Sequence, residues 1–347
     1  MKILAIETSC DETAAAVVES GQILSSIKYT QEIHAAWGGV VPSLAKRAHQ
    51  ERIDSVIDKA IQDSGLKIQD MDAIAVTVGP GLAIALGVGI AKAKELAVAY
   101  NKPLIAVNHI EGHILSALTP DITFPCLALA ISGGHTQIIQ VKKIGEYQIL
   151  VESQDDNIGE ALDKGARILG LPYPGGPALE KLAQEGNPKK YKLPLPMAGK
   201  EGLAFSYSGL KSAFFRLVSA KGQGLSAKDK ADLAACYQAM IFKHLVRTLK
   251  IVIQDLRSNI QDLLVGGGVA ANQTLRHQIE ELGHDMGFSV HYPENSMLCT
   301  DNAAMIGITA CHKYERKEFN NPEEIDRLPR WKVDQNVIDN HKLHSKM

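Results

Sequence analysis

Two stretches of this chain pass through the same succession of elements although their residues are not similar. KILAI (2–6) enters the polar turn ETSCDET, AAAVVE (14–19) leaves it, and ILSSIKY (23–29) follows. LALAI (127–131) enters SGGHT, QIIQV (137–141) leaves it, and YQILV (147–151) follows. Short apolar runs broken by polar turns read as strand, turn, strand, strand meanders. The echo continues. DAIAVTV (72–78) meets GPG, a helix runs to about Ala99 and LIAV (104–107) follows; DLLV (262–265) meets GGG, a helix runs to about Leu282 and SVHY (289–292) follows. Strand, glycine turn, helix, strand is a βαβ unit, so each half predicts a mixed sheet covered by helices. Duplication of architecture is the expectation.

With 347 residues and 45% hydrophobic content the chain is long enough for two lobes. A net charge of -2 excludes a generally basic surface, so a nucleic-acid partner would have to meet a local patch. The five cysteines are odd in number and lack a CxxC pair, which argues against a disulfide framework or thiolate zinc knot and for a reducing compartment. The first apolar run meets Glu7 almost at once; it reads as a strand rather than a leader or membrane span. From about Lys332 the chain is polar and reads as a frayed tail. Residues 171–211, rich in Pro, Gly and Lys, read as an insertion of loops. Lys189, Lys190, Lys192 and Lys211, interleaved with Tyr191, Phe205 and Tyr207, are its candidate polyanion contacts, with solvated loop lysines as the plain alternative.

His109 and His113 in NHIEGH (108–113) are four apart, so a helix there would turn both imidazoles to one face, able to share a metal or simply to lie partly buried. The protease pattern HExxH needs its Glu directly after the first His, where this chain has Ile110 and displaces Glu111. In CTDNAAMIG (299–307), Asp301 offers a carboxylate for metal or, alternatively, an N-cap for the helix that follows. The turns ETSCDET, SGGHT, PGGP and GGGVAAN let backbone N–H groups approach an anion, and Asn272 adds a paired donor and acceptor. None matches GxxxxGK[ST] or a strict GxGxxG, which lowers P-loop and dinucleotide readings. Asp11, Glu12 and Asp163 are the acids best placed for chemistry; Asp163, beside Lys164 and Arg167, could equally be a solvated helix face.

Taken together, ETSCDET, HAAWGGVVPSLAKRAH (34–49), GPGL (79–82), NHIEGH, ISGGHTQ (131–137), GEALDKGARILGLPYPGGP (159–177), FSYSGLK (205–211), GGGVAANQTLR (266–276) and CTDNAAMIG resemble the TsaD family, the tRNA adenosine threonylcarbamoyltransferases once described as O-sialoglycoprotein endopeptidases. The resemblance implies a two-lobed α/β fold of the actin-like, sugar-kinase-like ATPase (ASKHA) type with duplicated mixed-sheet domains. The expected lobes are 1–119 and 120–310, with the insertion at about 171–211, and 311–347 packing back on the first lobe. These bounds put Asp301 in the second lobe. The resemblance also implies a metal site of His109, His113 and Asp301 holding Fe2+ or Zn2+. Ala130, Ile131, Ser132, Gly133, Gly134, Asp163, Gly176, Glu180 and Asn272 would take ATP or threonylcarbamoyl-AMP, and Asp11 and Glu12 would face the reaction centre. The implied reaction moves threonylcarbamoyl from its adenylate to N6 of adenosine 37 in tRNAs reading ANN codons, releasing AMP. A paralogous non-catalytic TsaB-type subunit and a small TsaE-type ATPase are the implied partners, in the cytoplasm and away from membranes. The sequence departs from the bacterial pattern in 79–97, where Ile84, Lys92 and Lys94 stand at positions often smaller or uncharged. A small-metabolite carbamoyltransferase, a glycoprotein-cleaving zinc protease and a non-enzymatic nucleotide-binding scaffold are the competing readings.

Overall fold

A computed structural model describes residues 1–199, 203–222, 224–256 and 260–335. The tail expected from Lys332 lies, beyond Gln335, outside the described residues. By its packing the chain forms two compact units: the first holds Met1–Leu118, Ile144–Tyr147 and the chain from Pro293 onward, and the second holds Thr119–Lys143 and Gln148–Tyr292.

The first unit begins with the meander β1 (Lys2–Glu7), β2 (Glu12–Glu19) and β3 (Gln22–Thr30). Helix α1 (Pro42–Ser64) follows, then β4 (Ala73–Gly79), α2 (Ala83–Ala99), β5 (Leu104–Asn108) and the short α3 (His109–Leu115). Its five strands lie in the order β3-β2-β1-β4-β5, with β1 antiparallel to β2 and parallel to β4. In the second unit β6 (Cys126–Ile131), β7 (Thr136–Lys143) and β8 (Glu146–Glu152) form the meander. Then come α4 (Ile158–Ile168), α5 (Gly175–Ala183), α6 (Ser208–Ala220), α7 (Ala227–Asp255), β9 (Asp262–Gly266), α8 (Gln273–Met286) and β10 (Ser289–His291). Here the order is β10-β9-β6-β7-β8, the same plan of meander plus two parallel strands. Both halves of the echo are therefore real elements.

The last described helix, α9 (Ala303–Glu315), packs with the first unit. Side chains alternate across a strand with period two. Leu4, Ile6, Val17, Ile74 and Val76 form one core with residues of α1 and α2, while Ile3, Ala5, Ala16, Val18, Ala75 and Ile105 form another with Ala303, Met305 and Ile306 of α9. At Gly307 a Cβ would come 2.5 Å from Val18, so the helix lies close on the sheet. The return to the first lobe, expected from 311, thus begins at Pro293, because the first sheet has a second apolar face to cover.

The 171–211 region is also more structured than an insertion of loops. It contains α5, and Phe205 and Tyr207 are fully buried in the core of the second unit.

Candidate metal centre and nucleotide cradle

Strand β5 ends at Asn108, whose Oδ1 accepts from the N–H groups of Ile110 and Glu111 at 2.9 and 3.3 Å. This cap starts α3 at His109 and brings His113 one turn later, its ring edge-on to that of His109 with centroids 4.7 Å apart. Asp301 stands just ahead of α9. The cap of that helix is Asn302, which accepts from Met305 N at 2.9 Å, so Asp301 is released from the capping role the sequence allowed it. Its Oδ1 lies 3.1 Å from His113 Nε2 and 3.4 Å from His109 Nε2. The three candidate ligand atoms all lie within 4.8 Å of one another, and all belong to the first unit rather than being split between lobes.

Behind His109 stands Glu7, a residue the sequence reading missed. Its Oε2 lies 3.1 Å from His109 Nδ1 and accepts from Thr77 Oγ1 at 2.6 Å; its Oε1 accepts from Ser9 N. Ser9 Oγ is a further 3.2 Å contact of His109 Nδ1. A carboxylate on one ring nitrogen leaves the other facing the metal position, the usual outer-shell arrangement of a ligating histidine. The available signal was a carboxylate closing an otherwise apolar strand. Burial works against charge here. Even so, the Asp301 and Glu7 carboxylates hold the His109 imidazole well above its ordinary value, and the His109 cation keeps Glu7 lowered and Asp301 well below the usual carboxylate range. For His113 burial wins and its value falls. Two Nε2 atoms and a carboxylate oxygen converging on one point fit a divalent transition metal.

Glu111 faces elsewhere. Its carboxylate accepts from Tyr147 Oη at 3.0 Å and lies 3.6 Å from Lys313 Nζ, in a buried setting of its own.

The ETSCDET turn runs past this centre. His49 of α1 fixes it, with Nδ1 2.7 Å from Thr13 Oγ1 and Nε2 3.0 Å from Cys10 O. Leu82 N donates to Ser9 O at 2.8 Å, and a Cβ on Gly81 would come 2.7 Å from that oxygen, so the GPG turn must pass close by. Asp11 and Glu12 are half-buried. Burial, then Asp301 and Asp11, push the Glu12 carboxyl well above the ordinary value. Bound metal would act in the opposite sense.

In the second unit the expected nucleotide residues surround adjoining turns. Ala130 and Ile131 end β6; Ser132 closes its turn through Ser132 N to His135 O, 2.8 Å, and Gly133 and Gly134 are exposed. A Cβ on Gly159 would meet Ser132 O at 2.7 Å, and one on Gly267 (φ +98°) would meet Ile131 O at 2.3 Å, so α4 and the GGG turn close on the same point. Asp163 Oδ1 accepts from Gly176 N at 2.9 Å, and Glu180 Oε1 accepts from Gln273 N at 2.8 Å. Asn272 caps α8 through Leu275 N, 3.1 Å, while its Nδ2 donates to Gln238 at 3.3 Å. Asp163 is thus tied to the start of α5 and is not a free surface charge. Glycine amides and fixed carboxylates suit a phosphate and ribose hydroxyls respectively.

The polyanion set of 171–211 is not brought together. Phe205 and Tyr207 are core residues, and Lys211 is held by Asp156 at 2.6 Å. Neither ring offers a face for stacking.

The family model described as "TsaD: tRNA N6-adenosine threonylcarbamoyltransferase" matches residues 22–308. A tRNA N6-adenosine threonylcarbamoyltransferase of Brucella anthropi is 46% identical over 349 residues, covering 96% of each chain. One of Bartonella tribocorum is 46% identical over 355 residues, covering 97% of each. Among solved structures, HypF of T. kodakarensis superposes with TM-score 0.58 at 14% identity, over 91% of this chain and 48% of that one. Component A of the Acidaminococcus fermentans (R)-2-hydroxyglutaryl-CoA dehydratase gives 0.53 at 15%, over 91% and 99%. At such identities these structures speak for the fold alone, the actin-like, sugar-kinase-like ATPase architecture.

Proposed function

Because the chain belongs to the TsaD family of tRNA N6-adenosine threonylcarbamoyltransferases, we propose that it transfers threonylcarbamoyl from threonylcarbamoyl-AMP to N6 of adenosine 37 in tRNAs reading ANN codons. The N6 nitrogen attacks the carbamoyl carbon, the bond from that carbon to the phosphate oxygen breaks, and AMP departs with the electron pair. The N6 proton passes to a carboxylate. Asp11 and Glu12, half-buried in the turn that runs past the centre, are the candidates. Ser132 to Gly134, Asp163, Gly176, Glu180 and Asn272 would hold the adenylate.

The observation that carries the reading is the convergence of His109, His113 and Asp301, with Glu7 orienting the first. A divalent ion held there, Fe2+ in preference to Zn2+, would supply Lewis-acid polarisation of a carbonyl or phosphoryl oxygen. The same protein would work in the cytoplasm with a paralogous TsaB-type subunit and a small TsaE-type ATPase. Among the described residues no helix is long and apolar enough to cross a membrane. A protease reading is not favoured: the Glu111 carboxylate is engaged by Tyr147 and Lys313 instead of by a water at the centre. The small-metabolite reading has no feature of its own to support it.

The test is incubation with threonylcarbamoyl-AMP, substrate tRNA and the partner proteins, followed by nucleoside mass spectrometry. Modified adenosine is expected, with metal and product lost together in His109→Ala and Asp301→Ala. Absence of product with the unsubstituted protein sinks the reading.

A further inference from the structure

The 3-10 helix Glu32–Trp37 reverses the usual burial pattern. Its polar His34 is fully buried, while the apolar Ile33 and Trp37 are 52% and 66% exposed and Ala35 and Ala36 are exposed between them. This outward apolar face is held firmly. His34 Nε2 lies 2.9 Å from Gln31 Oε1, Val41 N donates to His34 Nδ1 at 3.3 Å, and Gln31 Nε2 donates to Ala45 O at 3.3 Å. An imidazole bonded at both nitrogens fixes the turn, and the segment ends in Gly38 in the left-handed region (φ 65°). Large apolar side chains exposed on a rigid turn mark a contact surface.

Its place narrows the occupant. Thr30 is the register partner of Glu12, and Gln31 N donates to Asp11 O at 3.1 Å, so the turn leaves the sheet directly beside the two candidate catalytic acids. Asp11 and the exposed Glu32 make this a poor seat for phosphates. A neutral π-face next to carboxylates suits a nucleobase, which stacks by its face and presents amino groups at its edge. Resting on the transferase reading above, we propose that Trp37 is a platform on which a base of the tRNA anticodon loop stacks while the neighbouring adenosine enters the reaction centre.

Two measurements test it. The chain contains two tryptophans, and the other, Trp331, is buried, so exposed-tryptophan emission reports Trp37. Adding an unmodified anticodon stem-loop RNA to the full chain should quench that emission in wild type and in Trp331→Phe, but not in Trp37→Phe. In the product-forming mixture, Trp37→Ala should raise KM for tRNA about 5- to 100-fold, the worth of one base–aromatic stack. KM for threonylcarbamoyl-AMP should stay unchanged, and Trp37→Tyr should restore tRNA binding. An unchanged tRNA KM in Trp37→Ala overturns the platform while leaving the transferase reading intact. Quenching by the paralogous subunit and not by RNA also overturns it, assigning the surface to a protein. No product from wild type fails the transferase reading and this inference with it.

Discussion

Glu7 illustrates how a buried side chain can orient a candidate metal ligand from behind. It is fully buried at the end of β1 and reaches His109 from behind, so its carboxylate sets which ring nitrogen faces Asp301. Glu7→Gln keeps the volume and removes the charge, and metal affinity is expected to fall about 10- to 100-fold with the fold retained; competitive chelator titration and circular dichroism check both halves. A second buried residue, His244, carries a pH dependence. Burial, reinforced by the Arg247 cation, lowers its pKa from 6.5 to about 4, and its Nε2 accepts from Ser206 N at 3.4 Å. Between those values the unfolded chain binds a proton that the folded chain refuses, so stability is complete above pH 6.5 and drains away as pH falls toward 4. The loss is on the order of 3 kcal/mol. In urea unfolding followed from pH 7 to pH 4, His244→Gln should flatten this leg; an unchanged slope would remove His244 from the account. Neither residue was legible as a site. Glu7 reads as one more acid in a polar turn, and its meaning depends on a histidine that the sheet brings to it from 102 positions away.

At the scale of elements, both meanders and both βαβ units were readable, since short apolar runs and glycine turns are local signals. The spacing of His109 and His113 was equally local. What could not be read was which element covers which face. Asp301 was uncertain between cap and ligand because Asn302 beside it is equally able to cap, and only the backbone of α9 decides between them. Phe205 and Tyr207 looked like loop aromatics among lysines, yet they stack on one another at 6.5 Å and pack edge-on to His244. Helix α3 is seven residues long and depends on its cap more than a long helix would. Asn108→Ala should lower unfolding free energy by about 1 to 2 kcal/mol. It should also weaken metal retention, because both histidines ride on that helix. Thermal melts with and without metal would separate the two effects, and a variant that melts normally and retains metal would contradict the capping argument.

For the molecule as a whole, the decisive fact is that the first unit is built from both ends of the described chain. Deleting everything after Tyr292 strips the face formed by Ile3, Ala5, Ala16, Val18 and Ile105, and also takes Ile325, Leu328 and Trp331 out of the core on the α1 and α2 side. The truncated protein is expected to aggregate or bind hydrophobic dye, as measured by gel filtration and dye fluorescence. A soluble monomer with native near-UV dichroism would show that α9 is dispensable.

Asp301 follows His113 by 188 positions in the chain. Translation proceeds from the amino end at about 5 to 20 residues per second, so the two histidines leave the ribosome about 10 to 40 seconds before the carboxylate proposed to complete their set. The first sheet waits as long for the helix that covers it. The proposed three-ligand set cannot hold an ion before Asp301 is made, and a nascent chain arrested ahead of it should emerge without retained iron or zinc.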